Sequence, residues 1–283
     1  MQSRRVFLLT LLAMIAFAAN SLLCRCALRQ TKIDAASFTL VRILAGALML
    51  FLLQLVRNHS LGKKIAGSWL SALALFVYAA AFSFAYLTLP AGTGALLLFG
   101  AVQTTMILWG LRKGDRLQTA QIAGLVLAFA GLVVLVFPGI SAPPVRGSAL
   151  MLGAGMAWGV YSLRGKNAGD PARATTGNFI RAVAFAVTLS LLFLSRLQLD
   201  RAGLVYAVAS GAITSGLGYV IWYAALPGLK AASAATVQLS VPILAAAGGI
   251  LLLGEPLTVR FVLAAFAVLG GIALVVLEKR GAT

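Results

Sequence analysis

Tyr78, Phe82 and Tyr86 recur at i, i+4 and i+8 in an uncharged stretch, so a helix would align them on one face beside the small residues Ala79 and Ser83. Such a face binds rather than reacts. Aromatic rings attract an ammonium and stack on flat groups, at about 0.5–2 kcal/mol each. Other polar and aromatic residues are set inside apolar stretches: Asn20, Phe99 with Gln103, Trp158 with Tyr161, and Gln238. Polar side chains at that depth are costly unless they face the interior of a bundle. Pro242 follows Gln238 by four residues, so it removes the bond to the Gln238 carbonyl and kinks the helix. Plain interhelical packing competes with binding at each of these positions.

Arg42 and Arg181 are the only charges more than a turn inside such stretches. Two uses are open to them. Their long chains can reach out to a membrane face, or they can bind a substrate carboxylate or lock a gate. The six acids, Asp34, Asp115, Asp170, Asp200, Glu255 and Glu278, all fall in expected loops or helix ends, as does the single histidine, His59. Asp115 and Glu255 precede helices, and Pro256 suits a first helical position, so these acids read as complements to helix dipoles. Cys24 and Cys26 read as two small apolar residues. No nucleophile–base pair and no metal-ligand cluster is legible, which argues against an enzyme, a metal or a cofactor. No midplane carboxylate is expected to relay protons, which leaves facilitated diffusion or exchange as the simplest mechanism for moving a solute.

The elements that must position these residues are membrane helices. The 283-residue chain is 61% hydrophobic and 10% charged, with mean hydropathy +1.00, against about 25% charged for soluble domains. Uninterrupted Leu/Ala/Val/Gly runs satisfy their backbone in lipid as helices. Ten are expected, at 6–26, 35–56, 68–89, 92–111, 118–137, 147–164, 174–195, 202–225, 230–252 and 258–277. The net charge of +17 is scattered over short loops rather than gathered on one face, so nucleic acid is not the expected partner. With the N-terminus inside, fourteen Lys/Arg fall on the cytoplasmic side and seven outside, which places both termini in the cytoplasm. Arg4-Arg5 before an apolar run resembles a signal peptide, but the run has an internal counterpart near Trp158 and is read as a retained span.

That counterpart is one of many. Arg42 pairs with Arg181 at an offset of 139, Tyr86, Leu89 and Pro90 with Tyr223, Leu226 and Pro227 at 137, and Gly114-Asp115 with Gly254-Glu255 at 140. Gly131 pairs with Gly271 at 140, and Asn20-Ser21 with Tyr161-Ser162 at 141. Residues 1–140 and 141–283 thus read as two five-helix repeats. An odd number of spans per repeat inverts the second copy, the architecture of alternating-access carriers with a site near the midplane.

The turn Gly254-Glu255-Pro256, its echo Gly114-Asp115-Arg116, Pro242, and the runs Ala130-Gly131-Leu132-Val133-Val134 and Gly270-Gly271-Ile272-Ala273-Leu274 carry a resemblance. The whole chain resembles the ten-helix drug/metabolite transporters of the EamA type. Asn20, Tyr78, Trp158 and the aromatic third span further resemble the bacterial aromatic amino-acid exporters of the YddG type. The resemblance implies a basket-like inner-membrane exporter of aromatic and other large neutral amino acids. Asn20, Tyr78, Phe82, Phe99, Gln103, Trp158, Tyr161 and Gln238 are the expected binding residues, and a monomer in the lipid bilayer is the expected form. Another small-metabolite cargo, a non-transporting scaffold and a channel stay open as alternatives.

Overall fold

The structure is a computed structural model that describes residues 2–58, 66–114, 117–139, 142–165, 170–229 and 231–278. His59, Lys63, Lys64, Asp115, Arg116, Lys166, Lys230, Lys279 and Arg280 lie outside the described residues. The described residues form helices joined by short turns and contain no strand. Seven long helices come first: α1 (Gln2–Gln30), α2 (Ala35–Asn58), α3 (Trp69–Tyr86), α4 (Ala91–Arg112), α5 (Thr119–Val136), α6 (Val145–Gly165) and α7 (Pro171–Leu192). The eighth span is composite: α8 (Arg201–Val208), a π-helical segment (Ala209–Leu217) and α9 (Gly218–Ala225). The ninth is broken at Leu239 into α10 (Ala231–Gln238) and α11 (Ser240–Leu253), three residues before Pro242, and α12 (Val259–Glu278) ends the chain. Local chemistry sets the boundaries. Ser68, Asp170 and Asp200 cap α3, α7 and α8 through their side chains, and Gly254 ends α11 in the left-handed region at φ 61°.

Among the described residues nine spans are long and apolar enough to cross a membrane. The expected sixth helix is present as α6, whose 21 residues include Arg146, Arg164 and five glycines and are less apolar than the other nine spans. Its glycines serve close approach. A Cβ on Gly155 would meet the Leu98 carbonyl oxygen at 2.5 Å, and one on Gly159 would meet Thr105 Cβ at 2.9 Å, so α6 lies hard against α4.

Contacts between spans follow a regular scheme. α2 packs on α7, α4 on α11 and α5 on α12, while α6 packs on α3 and α4, as α1 packs on the composite eighth span and α11. Exchanging each span with the one five places later maps this set onto itself. Phe7, Leu48, Leu52, Val126, Phe129, Leu251 and Phe266 are exposed on the outer surface, the apolar coat a bilayer requires.

Candidate functional site

Six spans, the first, third and fourth with the sixth, eighth and ninth, enclose a central cavity of about 390 Å³, to which Pro171 at the start of α7 also contributes. Of the residues marked from sequence, Asn20, Tyr78, Phe82, Phe99, Gln103, Trp158 and Gln238 all line it. Ser21 and Ser162, 141 residues apart in the sequence, line it as well. Among the described residues none of the lining side chains is charged. The size and the mix of aromatic rings with a few amides and hydroxyls suit a small organic molecule.

Trp158 organises the aromatic wall. Its ring stacks on Tyr161 at 5.3 Å between centroids and meets Tyr78 at 4.8 Å and Tyr219 at 5.1 Å. Tyr161 itself is buried behind Trp158, outside the lining, with its hydroxyl 3.5 Å from Thr175 Oγ1. Tyr86 does not join Tyr78 and Phe82 at the cavity. Its hydroxyl donates to the Ala91 carbonyl at 3.2 Å, at the turn between α3 and α4.

Sequence reasoning missed the eighth span, which contributes Thr214, Tyr219, Trp222 and Tyr223, and also Phe17 on α1. The cluster Tyr219, Trp222 and Tyr223 was the available signal. The π-helical segment aims its hydroxyls inward: Ser210 Oγ donates to Asn20 Oδ1 at 2.7 Å, and Thr214 Oγ1, which donates to the Ser210 carbonyl at 2.8 Å, lies 3.2 Å from the same Asn20 oxygen. Asn20 Nδ2 in turn donates to Tyr78 Oη at 3.3 Å. Wide helical turns of this kind recur at functional sites.

The two intramembrane arginines part company. Arg42 does not reach a membrane face: it is 2% exposed, behind Tyr78 and Phe82, because α7 and the π-helical segment pack over α2. Its Nη2 donates to Tyr78 Oη at 3.1 Å. Arg181 donates to the carbonyls of Ala66 at 2.7 Å and Gly177 at 3.0 Å, at the entry to α3.

The expectation that Glu255 caps its own helix is corrected. Glu255 is buried, and its Oε2 accepts from Ala91 N–H at 2.7 Å, at the N-terminus of α4, whose dipole favours an acid there. Its Oε1 lies 3.0 Å from Arg25 Nε, and Arg25 Nη1 donates to the Tyr86 carbonyl at 2.8 Å. This network ties together the ends of α1, α3, α4 and α11. A carboxylate is therefore buried after all, at the end of the bundle rather than beside the cavity. At the opposite end a wider cleft of about 860 Å³, lined by Trp109, Lys113, Arg164, Asp170 and Arg173 among others, shares Gly165 with the central cavity.

A ring of helices around a cavity without charged lining is the build of a small-solute carrier, and comparison with known proteins agrees. The model of the EamA-like transporter family matches twice, over residues 4–137 and 145–277. The chain belongs to the EamA-like transporter family. An uncharacterized protein of Pseudomonas aeruginosa is 57% identical over 99% of this chain and 98% of its own length. An uncharacterized transporter of Archaeoglobus fulgidus is 26% identical over 86% of this chain and 87% of its own length. The threonine/homoserine exporter RhtA of Salmonella typhimurium is 34% identical over 51% of this chain and 50% of its own length. A solved crystal structure shares the fold, with TM-score 0.70 over 99% of both chains at 18% identity.

Proposed function

We propose that this transporter exports amino acids, aromatic and other large neutral ones, across a bacterial inner membrane, with both termini in the cytoplasm. The observation that carries the reading is the aromatic, uncharged central cavity, to which both halves of the chain contribute. Residues 1–140 and 141–283 act as two inverted five-helix repeats that rock about it, and a monomer suffices. The double family match and the exchange symmetry of the contacts support this arrangement. Asn20, Tyr78, Phe82, Phe99, Gln103, Trp158 and Gln238 form the binding wall, and Tyr161 supports it through Trp158. Arg181 holds an end of the bundle, and the break before Pro242 presents Gln238. Transport proceeds by facilitated diffusion or exchange, with no catalytic step and no cofactor.

The test is counterflow of labelled phenylalanine, methionine and threonine into preloaded proteoliposomes without an ion gradient. Uptake of phenylalanine and methionine above threonine is the expected result. Threonine uptake alone would move the cargo to the class named for the RhtA relative, and no counterflow by folded protein would sink the amino-acid reading. Labelling of single cysteines placed in loops tests the orientation.

A further inference from the structure

Arg42 is a buried cation without an anion. Among the described residues the ion pairs converge on Glu255 and none includes Arg42. Arg42 Nε donates weakly to Ser215 Oγ at 3.4 Å, Nη2 donates to Tyr78 Oη at 3.1 Å, and Nη1 has no partner. A guanidinium taken out of water and left uncompensated is expensive, and the cost falls when an anion comes near.

Tyr78 stands between this charge and the cavity. Its oxygen accepts from Arg42 and from Asn20 Nδ2, and Asn20 is held in that orientation by the Ser210 hydroxyl donating to its Oδ1. With both acceptor positions of the phenol used, its one proton is left to donate. Tyr78 lines the cavity, and its hydroxyl is polarised by the Arg42 cation behind it. The rings, meanwhile, already serve a cation: the Arg42 guanidinium carbon lies 5.3 Å from the Tyr78 centroid and 4.9 Å from that of Phe82. The ammonium attraction expected of these rings from sequence is thus satisfied by the protein itself, and no lining carboxylate offers an alternative partner for an ammonium.

We infer that the cavity recognises the carboxylate of its cargo, through the Tyr78 hydroxyl backed by Arg42, and that an ammonium group adds little. The inference rests on the reading of this cavity as the transport site and narrows its cargo to carboxylates, with or without an amino group.

Trp158 and Trp222 line the cavity, so ligand binding to the purified full chain in detergent can be read from tryptophan fluorescence. The probes are phenylalanine, 3-phenylpropionate, which lacks the ammonium, and 2-phenylethylamine, which lacks the carboxylate. The two carboxylates are expected to bind within about tenfold of each other and the amine at least about tenfold more weakly. Arg42→Gln and Tyr78→Phe should each weaken carboxylate binding about ten- to hundredfold and leave the amine unchanged. If Arg42→Gln does not fold, Tyr78→Phe and the charge-retaining Arg42→Lys decide, the former losing carboxylate preference and the latter keeping part of it. An amine that binds as well as the acids, variants that keep wild-type carboxylate affinity, or no saturable carboxylate response overturns the inference. Binding of 3-phenylpropionate that depends on Arg42, without amino-acid counterflow, would remove the amino-acid reading and leave this inference standing. Phenylalanine counterflow with equal amine binding would do the reverse.

Discussion

Arg25 and Glu255, 230 residues apart in sequence, meet with Nε 3.0 Å from Oε1, their side chains only 10% and 5% exposed. The pair closes one end of the bundle, and its worth depends on both members being present. Removing one partner of a buried pair leaves an uncompensated charge and costs about 3–5 kcal/mol, whereas replacing both with apolar residues is often near neutral. Glu255→Leu should therefore lower the melting temperature in detergent well below that of the double variant Arg25→Met/Glu255→Leu. Cys24, wholly buried beside Arg25, provides a second readout. Its alkylation by a hydrophilic maleimide should accelerate at least about tenfold in Glu255→Gln, as expected for a local opening made easier by 1.4 kcal/mol or more. Equal melting of single and double variants, with Cys24 still inert, would show that the pair does not hold this end closed.

The glycines at 270 and 271 are adjacent and should respond in opposite ways. A Cβ on Gly271 would collide with the Gly124 carbonyl oxygen and come within 2.6 Å of Ala128 N, because α12 and α5 touch backbone to backbone there. A Cβ on Gly270 would meet nothing within 4 Å. Gly271→Ala is expected to cost about 1–3 kcal/mol through overpacking. Gly270→Ala should be stabilising by about 0.5–1 kcal/mol, the ordinary gain of alanine over glycine inside a helix. Thermal unfolding of the two variants side by side checks the contact. Equal effects would sink it.

How much of this was legible in the sequence depended on the range of the interaction. The spans were readable because uncharged Leu/Ala/Val runs satisfy their own backbone, and α6, less apolar with Arg146 and Arg164 near its ends, was read as a span all the same. Asn20, Gln103 and Gln238 stood out because amides at membrane depth need an interior to face. Thr214 and Tyr219 did not, since a π-helical segment shifts the register that a 3.6-residue period assumes. Glu255 looked like a local cap because sequence shows only its own helix, while its amide partner, Ala91, lies 164 residues away. The choice between the two uses open to Arg42 was hidden for the same reason: nothing near it in sequence shows that α7 and the eighth span cover it.

Asp34 predicts a pH dependence at the other loops. It caps α2, with Oδ1 accepting from the backbone N–H groups of Ala36 and Ser37 at 2.9 Å each and Oδ2 from that of Gln198 at 3.0 Å. Burial pushes its carboxyl up, but the hydrogen bonds from Ser37, Gln198 and Ala36 outweigh burial and hold it below the ordinary carboxylate range. The ionised form is thus favoured in the folded state. Its stabilisation is complete above the unfolded value of about 3.9 and is lost as pH falls through the lower folded value. Asp34→Ala should cost about 1 kcal/mol near neutral pH, the usual worth of such a cap. The melting difference between wild type and variant should shrink as pH drops below about 4. A difference independent of pH would mean that the charge contributes nothing.

Trp158 and Tyr161 separate lining from support. Trp158 faces the cavity and meets Tyr78, Tyr161 and Tyr219, so Trp158→Ala removes both a binding surface and the contact that orders its neighbours. Aromatic pairs are worth about 0.5–1.5 kcal/mol beyond burial, so counterflow should weaken about three- to tenfold or more while the melting transition stays cooperative. Gln238→Ala, at the break in the ninth span, should impair counterflow in the same way, since the lost amide lines the cavity rather than the lipid face. Tyr161→Phe keeps the stacked ring and gives up the hydroxyl's contacts with Thr175, 3.5 Å away, and with Asn178, all behind the cavity wall, so it should transport within about twofold of wild type. If Trp158→Ala and Gln238→Ala move cargo at the wild-type rate, the aromatic cavity is not the route. If Tyr161→Phe fails while Trp158→Ala does not, the wall is organised from behind and the functional surface lies on the α7 side of the sixth span.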